Sequence, residues 1–466
     1  MYINPLDRRR FLELGFGSLG GLALSSFANA ETASANLNHE AKAKSVILCY
    51  MSGGVSHVDS FDPKPMLHKM HGKPMPVKVQ KTQFDNNGNI FQSPWKMKKW
   101  GQSGIEMTDL FPNIASCADD LAVVRSMTAK FSEHAQGNFF MHTGFPFLGY
   151  PSAGAWINYG LGTVNQNLPG YVVLRNKTSI MHGGVSNYGN GFLPATTQGS
   201  FFNLDRKTPV DHIKPERPME TQRKNLNLMS QLDEGFANRI AKARQIKSAV
   251  ANYETAFKMQ SAVPEITDIS KEPEHIKNMY GMNSQNKVMA NYAHQCLMAR
   301  RLVEKGVRFV ELTCASVGLG AGGGANPWDQ HGDLERGHGA MAQQVDQPIA
   351  ALIKDLKQRG LLDSTLIIFT GEFGRTPFSQ GSNGRDHNPY GFSLWLAGGG
   401  IKGGTTYGAT DELGYYAVDK VATVYDLWAT VLHQLGMDHE KLTYRYSGRD
   451  IRLTDVHGEV WHDILT

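Results

Sequence analysis

Histidines and carboxylates recur along this chain in short polar segments, most of them beside glycine. GGVSHVDSFDPKP carries His57, Asp59 and Asp62. Ser132-Glu133-His134 is followed by His142. WDQHGD brings Asp329, His331 and Asp333, with His338 shortly after. GEFGRTP contributes Glu372 and Arg375, and GRDHNP adds Arg385, Asp386 and His387. Imidazole together with carboxylate is the ligand set of zinc, iron or manganese. A divalent cation held there would polarise a phosphoryl or sulfuryl oxygen, or lower the pKa of a bound water. Arg375 or Arg385 has the fork of donors that grips a planar or tetrahedral anion. One His beside one Asp is ordinarily a surface pair, so the weight lies in the recurrence. Several carboxylates buried together are costly unless cations neutralise them. The competing reading is a cluster of polar loops held by hydrogen bonds and ion pairs alone.

The segments share a position relative to the apolar runs that precede them. Ser45–Met51, Leu121–Met127, Tyr171–Leu174, Val307–Leu312, Thr365–Thr370 and Phe392–Ala397 are compact, apolar and rich in strand formers. Continuous apolar runs of that length predict strands buried on both faces. Helical spacing over residues 286–305, 341–359 and 423–435 stops each time at a glycine, Gly306, Gly360 and Gly436, a common helix stop. Helices alternating with continuous apolar strands predict an α/β domain with a mainly parallel sheet. Ligands in such sheets bind outside the carboxyl ends of the strands. Four strand ends then deliver their imidazoles and carboxylates to one edge.

The remaining organisation is plain. Residues 1–30 have the parts of an exported leader: DRRRFL with Arg8 and Arg9, an apolar stretch from Leu14 to Phe27 too short to span a bilayer, and Ala28-Asn29-Ala30 as a cleavage site. DRRRFL resembles the twin-arginine signal, which implies the twin-arginine translocase as a partner and a periplasmic or secreted product. Residues 31–43 read as a linker and 44–466 as one domain, with a helix-prone, charged insertion over 216–285. GLGAGGGAN at 318–326 lacks the Lys-Ser/Thr ending of a phosphate loop and reads as a loop. A net charge of +4 on 466 residues, without a basic stripe, argues against a nucleic-acid partner. No segment of the mature chain is apolar enough to span a membrane. Cys49, Cys117, Cys296 and Cys314 form no CxxC pair; buried thiols are expected, with one long-range disulfide as the alternative.

Taken in order, GGVSHVDSFDPKP, VRSMT, GYPSAGAWINYGLG, LPGYVVL, ARRLVEKGVRFVEL, WDQHGD, GEFGRTP, GRDHNPYGFSLWLAGGGIKGG and YGATDELG resemble a bacterial family known as domain of unknown function 1501. That family is placed in the alkaline-phosphatase and sulfatase superfamily. The resemblance implies the fold, an alkaline-phosphatase-like three-layer sandwich with a helical insertion, and does not by itself imply a reaction. Compared with sulfatases, Thr143-Gly144 sets His134 at the nucleophile position. Glu372 stands for an Asp, Phe373 for a histidine ligand, His387 for the later histidine ligand, and Asp329 with His331 for another pair. The usual Asp after the first strand is missing; Ser52 and Gly53 stand there, with His57 and Asp59 as substitutes from the next turn. No Cys or Ser occupies the nucleophile position, which argues against formylglycine chemistry. His134 then acts as nucleophile or ligand, or a water activated by the metal attacks directly. The expected ligands are Asp329, His331, Glu372 and His387, followed by His57 and Asp59. The ion is zinc, manganese, iron or calcium, and Arg375 and Arg385 bind the anion. The expected function is hydrolysis of a phosphate or sulfate ester, on a small anionic ester or a sulfated or phosphorylated glycan. The alternative is a non-catalytic secreted binding or assembly protein.

Overall fold

A computed structural model of the chain describes residues 37–81, 84, 86–175, 180–237, 243–319 and 324–466. The expected leader and part of the glycine-rich loop lie outside the described residues. The strands used below are β1 (Ser45–Tyr50), β2 (Leu121–Thr128), β3 (Tyr171–Arg175), β4 (Ser200–Asn203), β5 (Phe309–Thr313), β6 (Thr365–Thr370), β7 (Gly374–Gln380), β8 (Gly384–Asn388), β9 (Phe392–Ala397) and β10 (Thr405–Tyr407). The helices are α1 (His134–Thr143), α2 (Ala153–Leu161), α3 (Met219–Ala237), α4 (Ala243–Thr267), α5 (Lys287–Glu304), α6 (Leu334–Gln358) and α7 (Val424–Gln434).

The central sheet runs β10-β2-β9-β6-β1-β5-β3-β4. All its pairings are parallel except those of β9, which is antiparallel to both β2 and β6. The strands that precede the polar segments therefore point their carboxyl ends the same way. The residues of β1 and the Met51 that follows it alternate between two apolar layers, Ile47, Cys49 and Met51 facing one and Val46, Leu48 and Tyr50 the other. Helices α5 and α6 and the end of α4 fill the first layer; α1, α2 and α7 fill the second. Burial on both faces explains why these strands read as unbroken apolar runs. The expected α/β fold with a mainly parallel sheet between helical layers is what the chain forms.

Two differences from the sequence reading concern the site. The sixth apolar run, β9, reverses direction, so the segment before it, not after it, lies at the functional edge. That segment is the β7–β8 hairpin, an antiparallel pair in which Arg375 lies opposite His387. Helix α6 begins at Leu334, a full turn and more before the expected 341. The four cysteines are buried free thiols. Among the described residues no helix is long and apolar enough to cross a membrane.

Candidate metal centre

Helix α1 follows β2 after a five-residue connection, 129–133, and its first residue is His134. Glu133 caps it, accepting from the amides of Ala135 and Gln136, as an acidic N-cap does. The cap leaves the His134 ring free of Glu133 and turned inward. Its Nδ1 lies 2.7 Å from Glu372 Oε1, just beyond β6. Its Nε2 lies 3.2 Å from Asp329 Oδ2, outside hydrogen-bond geometry and with no other partner. Asp329 follows β5 through the glycine-rich segment. Its Oδ1 lies 2.8 Å from His331 Nε2 and 3.2 Å from His387 Nε2. Arg375 Nη2 donates to the same oxygen at 2.6 Å.

The outer nitrogens complete the pattern. His387 Nδ1 lies 2.5 Å from the Ser132 carbonyl, and His331 Nδ1 meets Gln380 Oε1. Each of the three imidazoles thus turns Nδ1 to an oxygen that only accepts and Nε2 to the Asp329 carboxylate, which also only accepts, so a proton on Nδ1 alone is the arrangement that an ion bound at Nε2 would select. Imidazoles that bind metals are held this way, the remote N–H donated to a carboxylate or carbonyl and the other lone pair aimed at the ion. Candidate ligand atoms of His134, Asp329, His331 and His387 all lie within 4.8 Å of one another. Ligands of a tetrahedral ion lie roughly 3.4 Å apart, so small adjustments would close the set.

The electrostatics suit deprotonated ligands. Burial works against the Asp329 charge, but the Arg375 guanidinium and the imidazoles hold its carboxyl far below the usual range. Burial keeps His387 neutral, with its pKa lowered to about 3. Burial also opposes a charged His134, but Asp329 and Glu372 outweigh it and raise that ring to about 9. Metal binding there must displace a proton.

Backbone conformation makes room for the cluster. Gly53 has a φ of +110°, and a Cβ on it would lie 2.6 Å from the Asp329 amide nitrogen. Its own N–H donates to both Glu372 oxygens, at 2.9 and 3.1 Å. A residue with a side chain would part the β1 tip from Asp329. On the outer side the Phe84 ring, 56% exposed, stands edge-on 5.0 Å from His331. On the inner side Phe373 stacks on His387 at 4.4 Å.

Some expected site residues take other places. Glu372 is fully buried and orients His134 instead of reaching the four-residue cluster. His57 Nε2 donates to the Gly414 carbonyl at 2.7 Å. Asp59 accepts a bidentate pair from Arg385, at 2.6 and 3.0 Å. His57 and Asp59 therefore stand outside the cluster, because the loop after β1 folds away under the small β7–β8 sheet. Arg385 gives two further donors to the carbonyls of Thr376 and Phe91, and its plane lies over the Phe91 ring. Arg375 gives its own to the carbonyls of Gly53, Gly54 and Arg385. Both guanidiniums are 0% exposed, so in this arrangement neither presents an anion with a free fork. Gln380, the Ser132 carbonyl and Phe84 escaped the sequence reading. For Gln380 a signal existed: it ends the strand that carries Arg375.

No curated protein matches the chain. Among solved structures it is similar to the PsFucS1 sulfatase from Pseudoalteromonas sp., with 13% identity, 94% of this chain and 73% of that one covered, and a TM-score of 0.36. It is similar to the lipoteichoic acid synthase LtaP from Listeria monocytogenes, with 9% identity, coverage of 95% and 80%, and a TM-score of 0.35. For the alkaline phosphatase from the Antarctic bacterium TAB5 the values are 10%, 77% and 92%, and 0.32. The model of one family, described as "Protein of unknown function (DUF1501)", matches residues 43–465, and the chain belongs to that family.

Proposed function

We propose that this protein is a metal-dependent hydrolase of phosphate or sulfate esters, exported by the twin-arginine route and working in the periplasm or outside the cell. One observation carries the proposal: three imidazoles each face an acceptor oxygen with Nδ1 while their Nε2 atoms converge on Asp329. His134, Asp329, His331 and His387 would hold the ion. When bound, the ion supplies a Lewis acid for an ester oxygen and a lowered pKa for water. The protein's own residues do the rest. Glu372 fixes the tautomer of His134, Gln380 that of His331, and the Ser132 carbonyl that of His387. Arg375 anchors Asp329, and the rings of Phe373 and Phe84 flank His387 and His331 with apolar surface. The substrate is a small anionic ester or a sulfated or phosphorylated glycan.

The test is a metal assay of the exported protein, then a screen on an aryl phosphate, a phosphodiester and an aryl sulfate. Turnover of one of them, lost on chelation and restored by the ion, is expected. Protein inert on all three after reconstitution with zinc, manganese, iron or calcium sinks the proposal. Export is tested separately: replacing Arg8 and Arg9 by lysine should leave the chain in the cytoplasm.

A second reading, a non-catalytic binding or assembly protein, is favoured by one specific feature. Every nitrogen of the Arg375 and Arg385 guanidiniums already donates within the fold. Metal-dependent melting without turnover, together with retention of an anionic glycan, would decide for it.

A further inference from the structure

The centre also has a countable capacity, and the following rests on the metal reading just given. Among the four residues that bring ligand atoms together, Asp329 is the only carboxylate. Other carboxylates nearby stand outside that set. Glu372 takes the Gly53 amide with both oxygens and the His134 N–H with one. Asp59 is paired with Arg385. Asp386 Oδ1 accepts the His387 amide at 2.8 Å; its Oδ2 is buried without a hydrogen-bond partner, but Asp386 does not belong to the four residues whose ligand atoms come together. Two dications need more negative charge than one carboxylate supplies.

Arg375 sharpens the point. It is fully buried, fixed by the carbonyls of Gly53, Gly54 and Arg385, and its Nη2 lies 2.6 Å from Asp329 Oδ1. A guanidinium keeps its charge at any accessible pH, so a permanent cation already shares that carboxylate. Phe373 closes the inner side, with its ring centroid 4.4 Å from that of His387 and 5.2 Å from that of His134, and it offers no ligand atom. We infer that the centre takes one divalent ion and no second, because Arg375 stands permanently where a second positive charge would have to share Asp329. Arg375 is then a positioning residue that acts through Asp329.

The experiment counts ions. The metal-free chain is titrated with zinc and, separately, with manganese, and the ions retained per chain are read by native mass spectrometry and elemental analysis. One ion per chain is expected, lost in His387→Ala and in the more exposed His331→Ala. Two ions per chain overturn the inference and leave the metal-dependent reading standing. No ion retained takes down both. A single ion that survives both alanine variants lies elsewhere and also overturns it. Phe373→His provides the sharper arm, since it adds an imidazole beside the cluster and leaves Arg375 in place. The count should stay at one; a rise to two would assign the limit to the side chain at 373 and not to Arg375.

Discussion

Helix α1 carries two histidines at its two ends, and they belong to very different centres. His134, in the first turn, faces Asp329 and Glu372 at the edge of the sheet. His142, in the last turn, is buried inside the helix–sheet layer. Its Nε2 lies 2.9 Å from Glu311 Oε1 and its Nδ1 donates to the Asn138 carbonyl. Tyr171 donates to the other Glu311 oxygen at 3.0 Å, and Tyr50 donates to the Asn138 side chain at 2.7 Å. Each centre pairs imidazole with carboxylate under burial. The inner one is built on β1, β3, β5 and α1, and both ring nitrogens are satisfied. The outer one is built from loops and a hairpin, and the His134 Nε2 has no hydrogen-bond partner. Residue types alone do not separate a structural pair from a ligand set. The convergence of three Nε2 atoms on one carboxylate does, because metal ligands aim at a common point.

The largest effect should come from breaking the inner centre. Glu311→Ala leaves His142 and Tyr171 without their buried acceptor. Breaking a buried pair from one side costs about 3–5 kcal/mol, read as a fall in denaturation midpoint. Ion affinity of the fraction that remains folded should be nearly unchanged. A stable Glu311→Ala variant with lost metal binding would invert the comparison. Next comes Asp329→Asn at the outer centre. It should lower ion affinity by about 100-fold or more, since a first-sphere loss exceeds the 10–100-fold expected for an outer partner. Calorimetric titration checks it.

Much of the framework was legible and part of the site was not. The strands read out because both faces of β1 and β6 are buried, which forces unbroken apolar runs. Asp329, His331, Glu372 and His387 were legible as neighbours because parallel strands gather their carboxyl ends. Their roles were not. Glu372 orients His134 because the Gly53 amide captures both its oxygens, a contact between residues far apart in sequence. His57 and Asp59 left the cluster because the Arg385 on β8 recruits Asp59, and no local pattern announces that pairing. Glu311 was hidden inside the apolar run Val307–Leu312. His134, Asn138 and His142 do recur every four residues, a polar stripe on one helix face that marks a buried polar layer once the helix is recognised.

Glu372→Gln sharpens the boundary between ligand and orienting residue. The amide is nearly isosteric and still accepts from His134 Nδ1–H, but it loses the charge that makes the ring a better donor to the ion. Ion affinity should drop by about 10–100-fold while the number of ions bound per chain is unchanged. Loss of the ion altogether would make Glu372 a direct ligand, as the sequence motif suggested.

The last test is a difference in pH dependence between the two ends of α1. Burial opposes a charged His142, but the Glu311 carboxylate outweighs it and raises the pKa above 6.5. His134 is raised likewise, to about 9, by Asp329 and Glu372 against its burial. A histidine whose pKa is higher folded than unfolded stabilises fully below about pH 6.5 and loses that contribution as pH rises through the folded value. Stability of the metal-free chain should therefore fall from pH 6.5 towards 9 with contributions from both rings, each at most about 1.4 kcal/mol per pH unit. A bound ion requires a neutral His134, so saturating metal should remove the outer contribution and leave the inner one. Denaturation midpoints across that range, with and without ion, measure the difference. Slopes that coincide would mean that the ion does not displace the His134 proton, and the distinction between the two ends of the helix would fail at its chemical root.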